Sequence, residues 1–304
     1  MAEISPPELN QHALLVRVVY STVNRTDCGF RSAQYLISRL FSGIFAPKHR
    51  VLGCEFSGKV IAVGSSVKAF KTGDRVFGYD DQYFGGHAEF KVIDEGAAVA
   101  HIPENMDYAR AACLLEGSHY ALSNIRSARV KPLHKVLVYG ATGAIGSAAV
   151  QLLKHMGAYV VAVAGANQQE RVRQLGADQV LDYTHQDYRK TSHSFDFIFD
   201  AVGKQSFRYC KPLLTPRGIY ISTEPGRGYR NIFLALLTPL GRGKRVLFPL
   251  PTINKQDVIY LQELAETGAF CPLIDRTYAL NAIVEAYRYV ETGQKIGNVL
   301  LKIS

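Results

Sequence analysis

Three glycines stand at Gly140, Gly143 and Gly146, a G-x-x-G-x-x-G spacing inside GATGAIG. The apolar run KVLVY precedes them, and SAAVQLLKHMGA follows with a helical apolar period. Between a strand and a helix this spacing has a mechanical use. The first glycine permits a tight turn, the second lets backbone approach a pyrophosphate, and the third lets helix touch strand. Phosphates then rest on the unpaired N–H groups at the helix start. The whole turn, Gly140, Ala141, Thr142, Gly143, Ala144, Ile145 and Gly146, is the expected dinucleotide cradle. No Lys-Ser/Thr pair follows, so it is not a nucleoside-triphosphate loop. A plain βα turn would also need small residues; the complete βαβ unit around these glycines favours the cradle.

The next strand, YVVAVA, runs into GANQQERVR, with no acid at its tip. A site that prefers NAD places a carboxylate there to accept the ribose hydroxyls. Here Gly165 and Asn167 leave room, and Arg171 and Arg173 follow just downstream. A 2′-phosphate needs the absence of a carboxylate and a cation to pair with, so NADPH is the expected cofactor. Solvated helix charges are the plainer reading of both arginines. Two later strand ends join the expected cofactor surface: Tyr183, closing QVLDY, and Ala201, Val202 and Gly203, closing FDFIFDAVG.

The elements that must position these residues change character near residue 105. Before it, LLVRVVYSTV, KVIAVGSSV, DRVFGY and HAEFKVI are short β-rich runs separated by Gly and Asp, the pattern of a small, mostly antiparallel barrel or sandwich. After it, apolar strands alternate with helices, which predicts an α/β fold with a doubly wound parallel sheet. The expected division is 1–105 with 272–304 as the mostly-β domain, and 106–271 as the dinucleotide domain.

Composition excludes several classes. In 304 residues, 47% are hydrophobic and 20% charged, as in an ordinary globular chain with room for two cores. No apolar run is long enough for a membrane span, and no secretory signal opens the chain. Five cysteines, odd in number and never closely spaced, argue against a zinc ribbon or disulfide framework and for a reducing cytoplasm. The formal charge is +9, and nine basic residues lie between Lys204 and Arg245 against the single acid Glu224. Such a balance suits nucleic acid or an anionic small molecule. No aromatic stacking platform accompanies it, so nucleic acid is not an expected partner.

The run VLVYGATGAIGSAAVQLLKHMGA, together with GDRVFG, GGHAEF, FDAVG and the closing IDRTY…EAYRYVETGQKIGNVLL, resembles the medium-chain dehydrogenase/reductase superfamily. More narrowly it is similar to the zinc-independent quinone oxidoreductase branch, whose bacterial members are often labelled NAD(P)-dependent alcohol dehydrogenases. The resemblance implies a Rossmann-type domain and a GroES-like barrel domain. Members usually begin with an extra strand pair before the segment matching ISPPELNQHALLVRV, so the expectation is either a barrel that lacks its first strands or a misassigned start site.

Zinc-dependent members carry ligands at positions that match Asn24, Cys54 and approximately Glu116 here, and only Cys54 is a standard soft ligand. The resemblance therefore implies catalysis without metal. Oxygen charge developing during hydride transfer would then need hydrogen-bond donors. Asn24 is the first candidate, with Asp27 in the same turn, and the resemblance puts His119 and Tyr120 in the nicotinamide pocket wall. It also sets Phe248, Pro249 and Leu250 against the nicotinamide carboxamide. Plainer roles compete: Asn24 or Asp27 as helix caps, Tyr120 as packing, and the strand ends as core.

The expected activity is hydride transfer from NADPH to a small conjugated carbonyl, a quinone or an enone, in a homodimer. Alcohol/aldehyde chemistry is the alternative within the class. A non-catalytic NADPH-binding protein, crystallin-like or RNA-binding, is the alternative outside it. The stretch GYRNIFLALLTPLGRGKR, an apolar core framed by arginines, has three readings: closure over substrate, a subunit interface, or contact with an anionic membrane surface. The resemblance favours the first two.

Overall fold

A computed structural model describes residues 3–32, 43, 48–185 and 187–304. The chain opens with β1 (Ala13–Val23), α1 (Arg25–Ser32), β2 (Glu55–Val63), β3 (Arg75–Tyr79), β4 (Phe90–Asp94), β5 (Val99–His101) and α2 (Tyr108–Ala111). Next come α3 (Glu116–Ser127), β6 (Lys135–Tyr139), α4 (Ala144–His155), β7 (Tyr159–Ala164), α5 (Gln169–Gln174) and β8 (Gln179–Asp182). They are followed by β9 (Phe195–Asp200), α6 (Phe207–Cys210), β10 (Leu214–Ser222), α7 (Arg230–Leu237) and β11 (Arg245–Leu247). The end is α8 (Lys255–Glu266), β12 (Ile274–Ala279), α9 (Ile283–Glu291) and β13 (Asn298–Lys302).

Two compact units result: residues 1–116 with 253–304, and residues 117–252. The boundaries expected near 105 and 271 thus fall at 116 and 252. α8 is fastened to the first unit, because Lys255 Nζ donates to the carbonyls of Glu95 and Val99, and Asn105 Nδ2 donates to the carbonyl of Glu266.

Among the described residues of the first unit seven strands form one sheet, in the order β12-β13-β1-β2-β3-β5, with β4 also paired to β1. β1 is the hub. Its start pairs with β4, its middle with β2, and its end, Tyr20 to Val23, with β13. Leu14, Val16 and Val18 alternate into a core with Phe56, Val60, Phe70 and Val76, while Arg17 points to solvent. A register shift between Val18 and Tyr20 breaks that alternation. Beyond it Ser21 and Thr22 turn inward as buried polar residues. Ser21 donates to the backbone carbonyl of Glu55, and Thr22 enters the carboxylate cluster described below.

The second unit is a six-stranded parallel sheet in the order β11-β10-β9-β6-β7-β8, which reads 3-2-1-4-5-6 from the β8 edge. Its strands are nearly continuous apolar runs, as burial on both faces requires. Leu137, Val161, Ile198, Tyr220 and Val246 form the core with Phe207. The strand order reverses between β6 and β9, where Tyr139 lies opposite Asp200. Ligands of such sheets bind outside the carboxyl ends of strands at this reversal. The connection into Leu214 is only the short α6 and a 3-10 turn, Lys211–Leu213, with Pro212 in its first positions. Among the described residues, no helix is long and apolar enough to cross a membrane.

Candidate functional site

The glycine turn leaves β6 at Gly140, whose φ is +80°, a conformation costly for side-chain-bearing residues. A Cβ at Gly140 would lie 2.6 Å from Val202 Cγ1, so the ends of β6 and β9 are packed together there. A Cβ at Gly146 would lie 2.1 Å from the carbonyl oxygen of Gly140, which fixes α4 against the turn. Gly143 is different. Its φ of −72° and ψ of 170° suit any residue, and a Cβ there would meet only the Gly140 oxygen at 3.7 Å. As N-cap of the 12-residue α4 it supplies no side-chain cap. The N–H groups of the first turn, from Ala144 and Ile145 onward, keep their donors for a ligand. A bare cradle above an uncapped helix start fits a pyrophosphate.

Beyond β7, Gly165 caps a short 3-10 turn that carries the exposed Asn167. A Cβ at Gly165 would lie 3.5 Å from the hydroxyl of Tyr183, so that ring lies over the strand tip. Tyr139, Tyr183, His185, Tyr188 and Gln205 line a cavity of about 480 Å³ at these strand ends. The two arginines separate. Arg173 reaches Glu170 at 3.4 Å and Gln169 at 3.1 Å, whereas the exposed Arg171 forms no side-chain pair with any described residue.

Sequence reading missed what shapes the turn after β9. Asp200 is fully buried, and its carboxylate accepts from the backbone N–H of Val202, Lys204 and Gln205, at 3.3, 3.3 and 2.7 Å. Tyr220 and Ser222 hydroxyls add donors at 3.2 and 3.4 Å. Burial raises its pKa, and these donors oppose the rise. Ala201, Val202 and Gly203 are thus wrapped around one carboxylate. An acid ending a strand before a Gly turn was the available signal. Phe248, Pro249 and Leu250 follow the end of β11, with Phe248 and Pro249 half-buried and Leu250 exposed.

In the first unit, Asn24 and Asp27 clasp each other at the start of α1. Asp27 N–H donates to Asn24 Oδ1 at 3.0 Å, and Asn24 N–H donates to Asp27 Oδ2 at 3.1 Å. This is a reciprocal cap, the plainer role weighed for both residues. Asn24 keeps its amide NH₂, which reaches Thr22 Oγ1 only at 3.5 Å. Asp27 Oδ1 accepts from Gly53 N–H at 3.0 Å and from the Cys54 thiol at 3.6 Å. Burial raises the pKa of Asp27, and that of Cys54 well above the usual thiol value.

Two further carboxyls, one unforeseen, complete the cluster. Glu55 accepts from Thr22 Oγ1 at 2.8 Å and from the N–H groups of Leu115 and Glu116 at 2.8 and 2.7 Å. Glu116 accepts from Thr26 Oγ1 at 2.6 Å. Burial pushes Glu55 up to about 7, and burial plus the Glu55 charge pushes Glu116 up to about 8. Lys295, in the same unit, is lowered by burial and supported by the charge of Glu116.

This donor set does not fit a catalytic zinc. Among the described residues no three His, Cys, Asp or Glu side chains are grouped to hold a metal ion. Where ligands would be needed stand an amide engaged in a helix cap, a single thiol, and a carboxyl that accepts from Thr26 through one oxygen.

His119 and Tyr120 sit on α3, in the second unit. His119 is buried, Tyr120 half-buried, and their rings lie 4.7 Å apart. The four expected catalytic residues therefore form two adjacent pairs, one in each unit.

Residues 10–104 match the family described as alcohol dehydrogenase GroES-like domain, and residues 175–301 the family described as zinc-binding dehydrogenase. The chain is 27% identical over 311 residues to 2-methylene-furan-3-one reductase of Solanum lycopersicum, covering 99% of this chain and 74% of that one. It is 27% identical over 312 residues to NADPH-dependent alkenal/one oxidoreductase of Arabidopsis thaliana, with the same coverage of 99% and 74%. The solved quinone oxidoreductase of Coxiella burnetii superposes with a TM-score of 0.88 at 25% identity, over 99% of this chain and 93% of that chain. With both domain families matched and these likenesses spanning nearly its whole length, the chain belongs to the medium-chain dehydrogenase/reductase superfamily, in its quinone oxidoreductase-like branch.

Proposed function

We propose that this nicotinamide-dependent oxidoreductase carries hydride from NADPH to a small conjugated carbonyl, an enone or quinone, without a metal ion. The observation that carries this reading is the bare Gly143 cradle beside a second strand tip with no acid, followed on α5 by Arg171, which forms no side-chain pair with any described residue. The names of the similar proteins, a furanone reductase, an alkenal/one oxidoreductase and a quinone oxidoreductase, support the substrate class.

The residues proposed to hold the dinucleotide are the turn from Gly140 to Gly146 for the pyrophosphate, and Gly165, Asn167, Arg171 and Tyr183 for the adenosine phosphate side. Ala201, Val202 and Gly203 line the ribose side, and Phe248, Pro249 and Leu250 the nicotinamide. When bound, the cofactor supplies the hydride. The protein must bind the acceptor, hold its oxygen as charge develops, and let a proton follow. Asn24 is proposed as the donor to that oxygen through its amide NH₂, because Asp27 already occupies its carbonyl. Asp27 acts by holding Asn24. His119 or Tyr120 supplies the second donor or the proton.

The test is loss of nicotinamide absorbance with a panel of quinones, enones and aldehydes, using NADPH and NADH. Turnover of enones or quinones with NADPH is expected. Aldehyde turnover alone, or none with any acceptor, would refute the reading. We further propose a homodimer in a reducing, cytoplasmic setting; all five cysteines are free thiols, four of them buried. Light scattering and cell fractionation check these two points.

A further inference from the structure

α7 is bound to its unit by one face only. Leu234 and Ala235 pack on the core, and Asn231 Nδ2 donates to the carbonyl of Glu224 at 2.9 Å. Just past the helix, Thr238 Oγ1 accepts from Val246 N–H at 2.9 Å. The other face is bare. Phe233 is 61% exposed, Leu236 69%, Leu237 63%, and Leu240, at the tip of the following 3-10 turn, 85%. These positions recur every three or four residues and so share a side. Scattered exposed leucines are ordinary; four large apolar side chains on one short helix and its tip are not.

The rim of this patch is positive. Arg227, Arg230, Arg242 and Arg245 are all exposed, and none forms an ion pair with a described residue. Glu224 is the only acid between Lys204 and Arg245. Apolar side chains framed by unpaired arginines match an anionic lipid surface, where the apolar groups enter the acyl boundary and the cations meet headgroup phosphates. An isologous contact with a second copy would bring these same arginines face to face, and the stretch from Lys204 to Arg245 itself carries one acid, Glu224, to offset them. Single-stranded nucleic acid would use the arginines but asks for aromatic platforms rather than exposed leucines.

The geometry points to α7 and its tip, residues 229–245, as a docking surface for an anionic membrane. The contact is peripheral: the helix has eight residues, far short of a span. It is independent of which carbonyl the protein reduces.

The experiment is flotation of the full chain with phosphatidylcholine vesicles, with and without one third phosphatidylglycerol, at low and near-physiological salt. Two variants accompany it: Phe233→Ser with Leu240→Ser, and Arg227→Gln, Arg230→Gln, Arg242→Gln and Arg245→Gln together. NADPH binding by each variant reports that it is folded. The expected result is binding to anionic vesicles alone, weakened by salt, and weakened about fivefold for each arginine removed. The apolar variant should also lose vesicle binding, which a purely electrostatic contact would not. Three results would each overturn the proposal. They are no vesicle binding, equal binding to neutral vesicles, and transfer RNA bound as tightly as the vesicles with the apolar variant unimpaired. Self-association through the patch, abolished by Phe233→Ser with Leu240→Ser while vesicles go unbound, would assign the surface to a second copy instead.

Discussion

Arg171 and Arg173 stand two residues apart on α5 and differ in what they touch. Arg173 is occupied by Glu170 and Gln169, while Arg171 is available to an anion. Arg171→Ala should therefore weaken NADPH by a factor equivalent to about 1–3 kcal/mol and leave NADH almost unchanged. Arg173→Ala should do neither, and nucleotide fluorescence titration distinguishes the pair. Glu116 makes a second prediction. Its folded pKa is about 8 against an ordinary 4.5, so the folded state holds the proton more tightly. The penalty is absent below the ordinary value, grows as pH rises, and is complete once the folded group ionises. Denaturant titration should find Glu116→Gln gaining stability over wild type between about pH 4.5 and about pH 8, then levelling off. A constant difference across that range would show the carboxyl ionised throughout. At this scale the cofactor glycines were legible because backbone geometry demands glycine. The carboxylate cluster was only partly legible, since Glu55 is met by Thr22, which lies beyond a register shift in β1 that no residue type announces. Asn24 shows a further limit: a cap and a hydrogen-bond donor look alike until the partner of Asn24 Oδ1 is known.

The turn between β6 and α4 contains glycines needed for different reasons. At Gly146 a methyl group would collide with backbone, so Gly146→Ala should cost at least about 2 kcal/mol of stability, read by denaturant melts. At Gly143 the folded chain has room. Gly143→Ala should cost less than about 1 kcal/mol, yet weaken dinucleotide binding more than tenfold, because the methyl would stand where a phosphate meets the backbone. Calorimetry and melts together test this separation of fold from function. The βα alternation of the second unit was readable because buried parallel strands are uniformly apolar and their helices keep a 3.6-residue period. The first unit was harder. β1 serves three partner strands and changes its inward face at a register shift, which a simple alternation rule cannot follow.

Across the whole molecule, the mismatch between the zinc-binding name of the matched family and the ligands present has a direct consequence. Turnover should survive prolonged exposure to strong chelators, and the purified protein should hold well under one zinc per chain. A stoichiometric zinc lost together with activity would contradict this. The composition set the broad class, but it could not assign α8, whose attachment to the first unit depends on Lys255 finding two carbonyls far back in the chain. The pairing of β1 with β13 raises a matter of timing. Tyr20 lies opposite Lys302, so β1 waits for a strand made long after it. At ribosomal speeds that wait is roughly a quarter of a minute to a minute. The parallel sheet of the second unit, by contrast, is fully synthesised before α8 emerges. A nascent chain of this protein therefore presents an unfinished β edge until β13 is made. A truncation before β12 should leave that edge open permanently and yield aggregates, unless a chaperone occupies it.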